Sequence, residues 1–149
     1  AKAVGALTVG IANNPATPLL TEADHAIFLK TRAEPIAGST RMNAGTAQRV
    51  TLNLLSTLVM IRLGRVYRGL MVDVQATNRK LTRRKEEMLV YLTGKSREEA
   101  QTAIAAADGD LKLAVLLLHG CEPERARSLL AKADGRLRQA LALLSPPGR

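Results

Sequence analysis

The sequence is poor in the residues that crosslink, stack or hold metals. A single cysteine, Cys121, excludes an internal disulfide. With His25 and His119 far apart along the chain, it also argues against a cysteine-based zinc site. Tryptophan is absent and the aromatics are Phe28, Tyr67 and Tyr91. Base stacking is therefore not available, and a core has to be packed from alanine, leucine, valine and methionine, which favours close-packed helices. No apolar run approaches the roughly 20 residues of a membrane-spanning helix, and no signal-peptide pattern opens the chain. The expectation is a soluble, cytoplasmic protein with no metal or organic cofactor.

What is present is basic. The formal net charge is +9, and residues 1–93 carry 13 Lys/Arg against 6 Asp/Glu, whereas residues 94–149 carry 9 against 7. Such a surface attracts anions. The runs Arg79-Lys80 and Arg83-Arg84-Lys85 lack interleaved aromatics, so they read as a solvated helix face. Neither nucleic acid nor membrane is expected as a partner.

Ala6 to Ala12 is a short apolar run ending at Asn13-Asn14-Pro15, which predicts a strand and a turn. Thr17 or Thr21 could cap a short helix from Pro18 to Ala23, with a second strand from His25 to Leu29. Strand, helix and strand within so few residues predict a parallel pair joined by a crossover, with edges that need cover. From about Met42 to Leu63, Ala47, Val50, Leu54, Leu58 and Ile61 recur at helical spacing, widened by Leu55, Val59 and Met60; a central helix is expected. Its opposite line is Thr46, Arg49, Asn53 and Ser56. Gly64 should end it, and a further helix from about Gln75 or Thr77 to Leu92 should end at Gly94.

Residues 94–118 align with 120–144 at an offset of 26 without gaps, with Ala100/Ala126, Asp108/Asp134, Gly109/Gly135, Leu111/Leu137 and Ala114/Ala140 among the identical pairs. Each copy reads as helix, Asp-Gly turn, helix. Two copies make a four-helix unit, and the first copy, with its helix–turn–helix and small-residue pattern, resembles ubiquitin-associated-like modules without implying ubiquitin binding. The tail Ser145-Pro-Pro-Gly-Arg149 cannot continue a helix. The expected organisation is an α/β portion over residues 1–63, a connecting long helix within 64–93, and a helical domain over 94–149.

Residues 34–48, Glu-Pro-Ile-Ala-Gly-Ser-Thr-Arg-Met-Asn-Ala-Gly-Thr-Ala-Gln, place a hydroxyl-rich turn and an arginine at the start of the long helix. Unpaired amides and the positive dipole end of such a helix favour a phosphate or carboxylate. Ser39, Thr40 and Arg41 are the candidate ligand contacts; the alternative is a capping role for a hydroxyl and a solvent-facing arginine. Downstream, residues 64–81 read Gly-Arg-Val-Tyr-Arg-Gly-Leu-Met-Val-Asp-Val-Gln-Ala-Thr-Asn-Arg-Lys-Leu. These two segments, in this order, resemble the N-acetylmuramic acid 6-phosphate etherases, and the likeness runs from about Ala3 to Leu141. The resemblance implies the last β/α elements of a sugar-isomerase fold, followed by helices and the repeat domain. It also implies a homodimer and a sugar-phosphate ligand held by Ser39, Thr40 and Arg41.

The family reaction removes lactate from a phosphorylated amino sugar by elimination and then adds water. It needs a base and an acid beside the sugar. Glu22, Asp24, His25, Glu34 and Asp73 are the candidates by residue type, but no pair among them stands out, and the family's two catalytic glutamates lie upstream of Ala1. The resemblance thus implies the C-terminal portion of an etherase that is inactive alone. Asn43 stands where the family usually has lysine; Asp73, Asn78 and Lys80 match the second motif and are assigned to capping and packing. A non-catalytic sugar-phosphate regulator, similar to the glucokinase regulatory protein, is the competing reading.

Overall fold

A computed structural model describes residues 1–144, so the Ser145–Arg149 tail lies outside the described residues. The chain divides into two compact units, Ala1–Leu58 and Val59–Arg149. In the first, β1 (Val9–Ala12) and β2 (His25–Phe28) pair in parallel, with Val9 opposite His25 and Ala12 opposite Phe28. The crossover is the short helix α1 (Pro18–Glu22), which Pro18 opens at a position where its missing N–H costs nothing. Gly10 is the one buried residue of this unit among the described residues. A Cβ there would run into the Leu19 carbonyl, so glycine is what lets α1 lie against β1.

Both ends of the strand pair are tied by side chains. At the leading end, the Thr8 amide and hydroxyl donate to the Asp24 carboxylate at 2.9 and 2.7 Å, and the Asp24 amide donates to the Thr8 hydroxyl at 3.0 Å. Lys2 adds an ion pair at 3.0 Å. At the trailing end, Asn13 Nδ2 donates to the Leu29 carbonyl and to the Thr31 hydroxyl. A two-stranded sheet is marginal on its own, and these polar ties supply what its small apolar area does not.

The long helix α2 (Asn43–Arg62) follows the expected span within a residue at each end, and Gly64, at φ 69°, closes it in the left-handed region. It is not a core helix here. None of its residues is buried, and Val50, Leu52, Leu54, Leu55, Leu58, Val59 and Ile61 are exposed. The expectation of a central helix fails because periodicity reports which residues want cover, not what covers them. No described helix is long and apolar enough to cross a membrane.

The second unit holds the hydrophobic core. A hairpin, β3 (Val66–Tyr67) and β4 (Leu70–Met71), precedes α3 (Arg79–Thr93), which Asn78 caps through a 3.0 Å bond from the Leu81 amide and Gly94 closes at φ 70°. The segment after residue 63 was expected to be a connector with one helix; the hairpin is an addition, and α3 packs into the core through Met88, Leu89 and Leu92. Then come α4 (Arg97–Ala106), α5 (Leu111–Leu118), α6 (Pro123–Lys132) and α7 (Leu137–Leu144). Both helices of the second copy lie 26 residues beyond those of the first, the sequence offset.

The copies match in detail. Asp108 and Asp134 take φ 51° and 49°, Gly109 and Gly135 φ 80° and 69°, so both turns use the left-handed pair that Asp-Gly tolerates best. Gly109 N–H donates to the Ile104 carbonyl, and Gly135 N–H to that of Leu130. Each turn is also held by a lysine from the preceding layer: Lys85 of α3 donates to the Gly109 carbonyl at 2.6 Å, and Lys112 of α5 to that of Gly135 at 3.1 Å. Alpha3 thus does for the first copy what α5 does for the second.

Leu111 and Leu137 occupy equivalent core positions at 2% and 1% exposure. Each truncation to alanine should therefore cost about 2–5 kcal/mol. Urea denaturation is expected to give comparable losses for the two variants. A loss below 1 kcal/mol at either position would refute the equivalence of the copies.

Candidate functional site

The polar groups of the first unit converge where the parallel strands end. A cleft of about 560 Å³ opens beyond the last residues of β1 and β2, with Asn13, Thr17, Thr31, Ser39, Thr40 and Gln48 among its lining residues. Parallel strands leave their carboxyl ends open because the crossover chain departs there, which is where open α/β sheets place ligands. The opposite wall is the start of α2, whose Gln48 Nε2 donates to Asn13 Oδ1 at 2.6 Å.

The loop that carries Ser39 and Thr40 is closed at its base by Glu34. One carboxylate oxygen accepts the Asn43 amide and the other the Ala44 amide, each at 3.0 Å. Asn43 Nδ2 completes the clasp by donating to the Ala33 carbonyl at 2.8 Å. Within the loop, the Gly45 amide donates to the Thr40 carbonyl and the Ser39 amide to that of Ile36. The Ala44 amide, with the Asn43 amide next, holds the Glu34 carboxyl below the ordinary glutamate range. A helix start was expected to offer free amides to a phosphate. Here the protein's own carboxylate already accepts the amides of Asn43 and Ala44, and the chain places its anion there itself.

Of the three expected contacts, the structure brings two together. Ser39, half-buried, and Thr40 line the cleft. Arg41 is exposed and is not among the lining residues; Arg32 is the cation that lines it. The acid and base candidates scatter. Asp24 and His25 lie at the leading end of β2, away from its trailing end, and the Thr8 hydroxyl, with Lys2 and the Thr8 amide, holds the Asp24 carboxyl down to about 2. Glu22 lines a separate groove with Lys2 and Thr8. Asp73, in the second unit, pairs with Arg65 at 3.3 Å and Lys112 at 3.6 Å. Asn78 caps α3, and Lys80 is exposed on a groove with Arg79, Arg83 and Arg97.

Asn13, Thr31 and Gln48 were not singled out as site residues from the sequence, and Thr17 was named only as a candidate cap. The signal was available for the first: an Asn-Asn pair directly after a strand that is parallel to its neighbour falls at the ligand-binding edge. Thr17 sits at the capping position of α1, yet its hydroxyl makes no capping bond. Its Oγ1 is buried and has no hydrogen-bond partner among the described residues.

No family model matches the chain. It is 49% identical to the N-acetylmuramic acid 6-phosphate etherase of Deinococcus radiodurans over 117 residues, which is 78% of this chain and 38% of that protein. It is 48% identical to the etherase of that name from Streptomyces avermitilis over 120 residues, 80% of this chain and 39% of the relative. The N-acetylmuramic acid 6-phosphate etherase 2 of Vibrio parahaemolyticus gives 48% over 118 residues, with 79% and 39% covered. The chain spans about two fifths of the length of these curated relatives and corresponds to their C-terminal portion.

A lowered carboxyl pKa in the folded state means that Glu34 contributes stability in full above its unfolded value, and loses it as pH falls through the lowered folded value. Glu34→Gln should therefore melt at a lower temperature than the parent at pH 7. The gap should narrow steadily in acid below the ordinary glutamate range. Asp24 titrates alike in both proteins and drops out of the comparison. Melting curves that stay parallel from pH 7 to pH 3 would remove Glu34 from the clasp.

Proposed function

We propose that this chain, homologous to the C-terminal portion of the N-acetylmuramic acid 6-phosphate etherases, supplies one wall of the sugar site in an enzyme that cleaves the lactyl ether of N-acetylmuramic acid 6-phosphate. The observation that carries the reading is the near-half identity to those etherases over about four fifths of this chain. Ser39 and Thr40 present hydroxyls inside the cleft, and both can donate to or accept from a sugar. Arg41, next in the chain and exposed, supplies a guanidinium for the phosphate or the lactyl carboxylate.

In the reaction, a base removes the proton on the carbon beside the open-chain aldehyde, and the C–O bond to lactate breaks at the next carbon. Lactate leaves with a proton from the acid, and water adds across the resulting double bond to give N-acetylglucosamine 6-phosphate. No pair of candidate carboxyl or imidazole groups in the first unit faces the cleft together, and Glu34 is committed to two amides. The acid and base therefore come from the portion of the enzyme that precedes this one. That portion, and a second copy in a cytoplasmic homodimer, cover the exposed apolar side chains of α2 and the open edges of the two-stranded sheet.

Titration of the chain with N-acetylglucosamine 6-phosphate, followed by amide chemical shifts, is expected to move Ser39, Thr40 and their neighbours. Ser39→Ala and Thr40→Val should each weaken binding about tenfold, the worth of one hydrogen bond of about 1.4 kcal/mol, and Arg41→Gln should weaken the phosphorylated sugar in particular. No lactate should appear when N-acetylmuramic acid 6-phosphate is supplied. Absence of any shift at the cleft, or lactate release by the chain alone, would overturn the reading.

A further inference from the structure

Lys112 is the second residue of α5 and Arg138 the second residue of α7, so at the offset of 26 they are equivalent in the two copies. Both reach the same short stretch of chain. We infer that the hairpin β3–β4 is a strap gripped by both copies through this one position, which fastens the repeat unit to the end of α2 and closes the stack at α7.

The grip of the first copy is ionic. Lys112 Nζ lies 3.6 Å from the carboxylate of Asp73, two residues beyond β4, and Arg65, directly before β3, holds the same carboxylate at 3.3 Å. The grip of the second copy is a cation over a ring: the Arg138 guanidinium carbon stands 5.6 Å from the centroid of Tyr67, which packs half-buried against the core. The strap in turn hangs from α2. The Arg65 amide donates to the Met60 carbonyl at 3.0 Å, and the Val72 amide donates to the Arg65 carbonyl at 2.9 Å. Arg136, just before α7, lays its stem where a side chain on Gly64 would stand, so the exit of α2 needs glycine for this close approach as well as for its left-handed backbone.

The closed end shows in a change of side chains between equivalent positions. Leu113 and Leu116 of α5 are buried; their counterparts in α7 are Gln139 and Ala142, both exposed. Lys112 also donates to the Gly135 carbonyl of the next turn at 3.1 Å, whereas Arg138 holds no turn among the described residues and lies over Tyr67 instead. Leu143 is the one large apolar side chain left exposed on the four repeat helices among the described residues, too little for another helical pair to stack on. Stacked arrays stop growing where the terminal copy turns a polar face outward. The repeat unit is a closed clasp on the end of α2, not an open array.

Amide hydrogen exchange on the intact chain tests the strap. Arg138→Ala should speed exchange about two- to fivefold across Val66–Met71, the loss of one cation–π contact, and Asp73→Asn should do so by a similar factor. Arg138→Lys, which keeps a cation over the ring, should restore the parent rates. Unchanged exchange in the hairpin, or an equal acceleration from α3 through α7, would overturn the strap, since a core that is merely weakened opens everywhere. Light scattering tests the closed end: Gln139→Leu with Ala142→Leu should make the chain associate beyond the parent's state, increasingly with concentration. Arg125→Leu with Ser128→Leu, at exposed positions of α6, adds comparable apolar surface and should leave the parent's state unchanged. Equal behaviour of the two double variants would overturn the closed end.

Discussion

The carboxylate of Glu34, accepting two amides at the start of α2, is the contact on which the first unit's site depends. It joins residues nine and ten positions apart, so it closes the intervening loop rather than merely capping a helix. The clasp from Asn43 to the Ala33 carbonyl holds the same point from the other side. A helix start carries roughly half a positive charge, and a fixed carboxylate cancels it where the loop needs to be rigid. The consequence for chemistry is that the most obvious anion site in the sequence is already filled. The groups left lining the cleft are hydroxyls, carboxamides and the Arg32 guanidinium.

The second unit depends on a different constraint. Two identical turns, each requiring two successive left-handed residues, set two helical pairs at the same spacing and in the same internal geometry. Alanine at positions 100, 107, 114, 126, 133 and 140, all buried, lets helix backbones approach closely, and leucine at 111 and 137 fills what remains. The lysines that reach the turn carbonyls come from the helix one layer back, which locks each layer to the next. Whereas the first unit is held by polar ties at its strand ends, the second is held by apolar burial and repetition.

Much of this was legible in the residues. The parallel pair, the stops at Gly64 and Gly94, and the offset of 26 follow from local rules: strand patterning, left-handed helix closure and self-similarity. The hairpin at Val66–Met71 did not show, because its turn is Arg68-Gly69 with φ 48° and 78°. Such a turn normally announces itself with asparagine or aspartate at the first position, and arginine carries no such signal. The Arg68 and Arg138 guanidinium carbons each lie 5.6 Å from the Tyr67 ring centroid, and Arg138, from α7, is a tertiary contact that supports what local propensity does not. Glu34 was legible as a carboxylate but not as a clasp, since capping rules look only a few residues from the helix start. The exposure of α2 could not be read at all: an apolar stripe states a need for cover and not whether it is met.

The cleft of this basic protein is lined by one cation, Arg32, one carboxylate, Glu34, and otherwise by uncharged side chains. The excess of cations over residues 1–93 acts at long range, where net charge governs how often an anionic molecule arrives. Inside the cleft, distances are short, and what matters is whether each donor finds an acceptor. A phosphorylated sugar has both kinds of surface, one charged and strongly hydrated, the other a ring of hydroxyls that can exchange water for protein groups at little cost. The carboxylate that rigidifies the loop at the start of α2 is also the group that repels a second anion there.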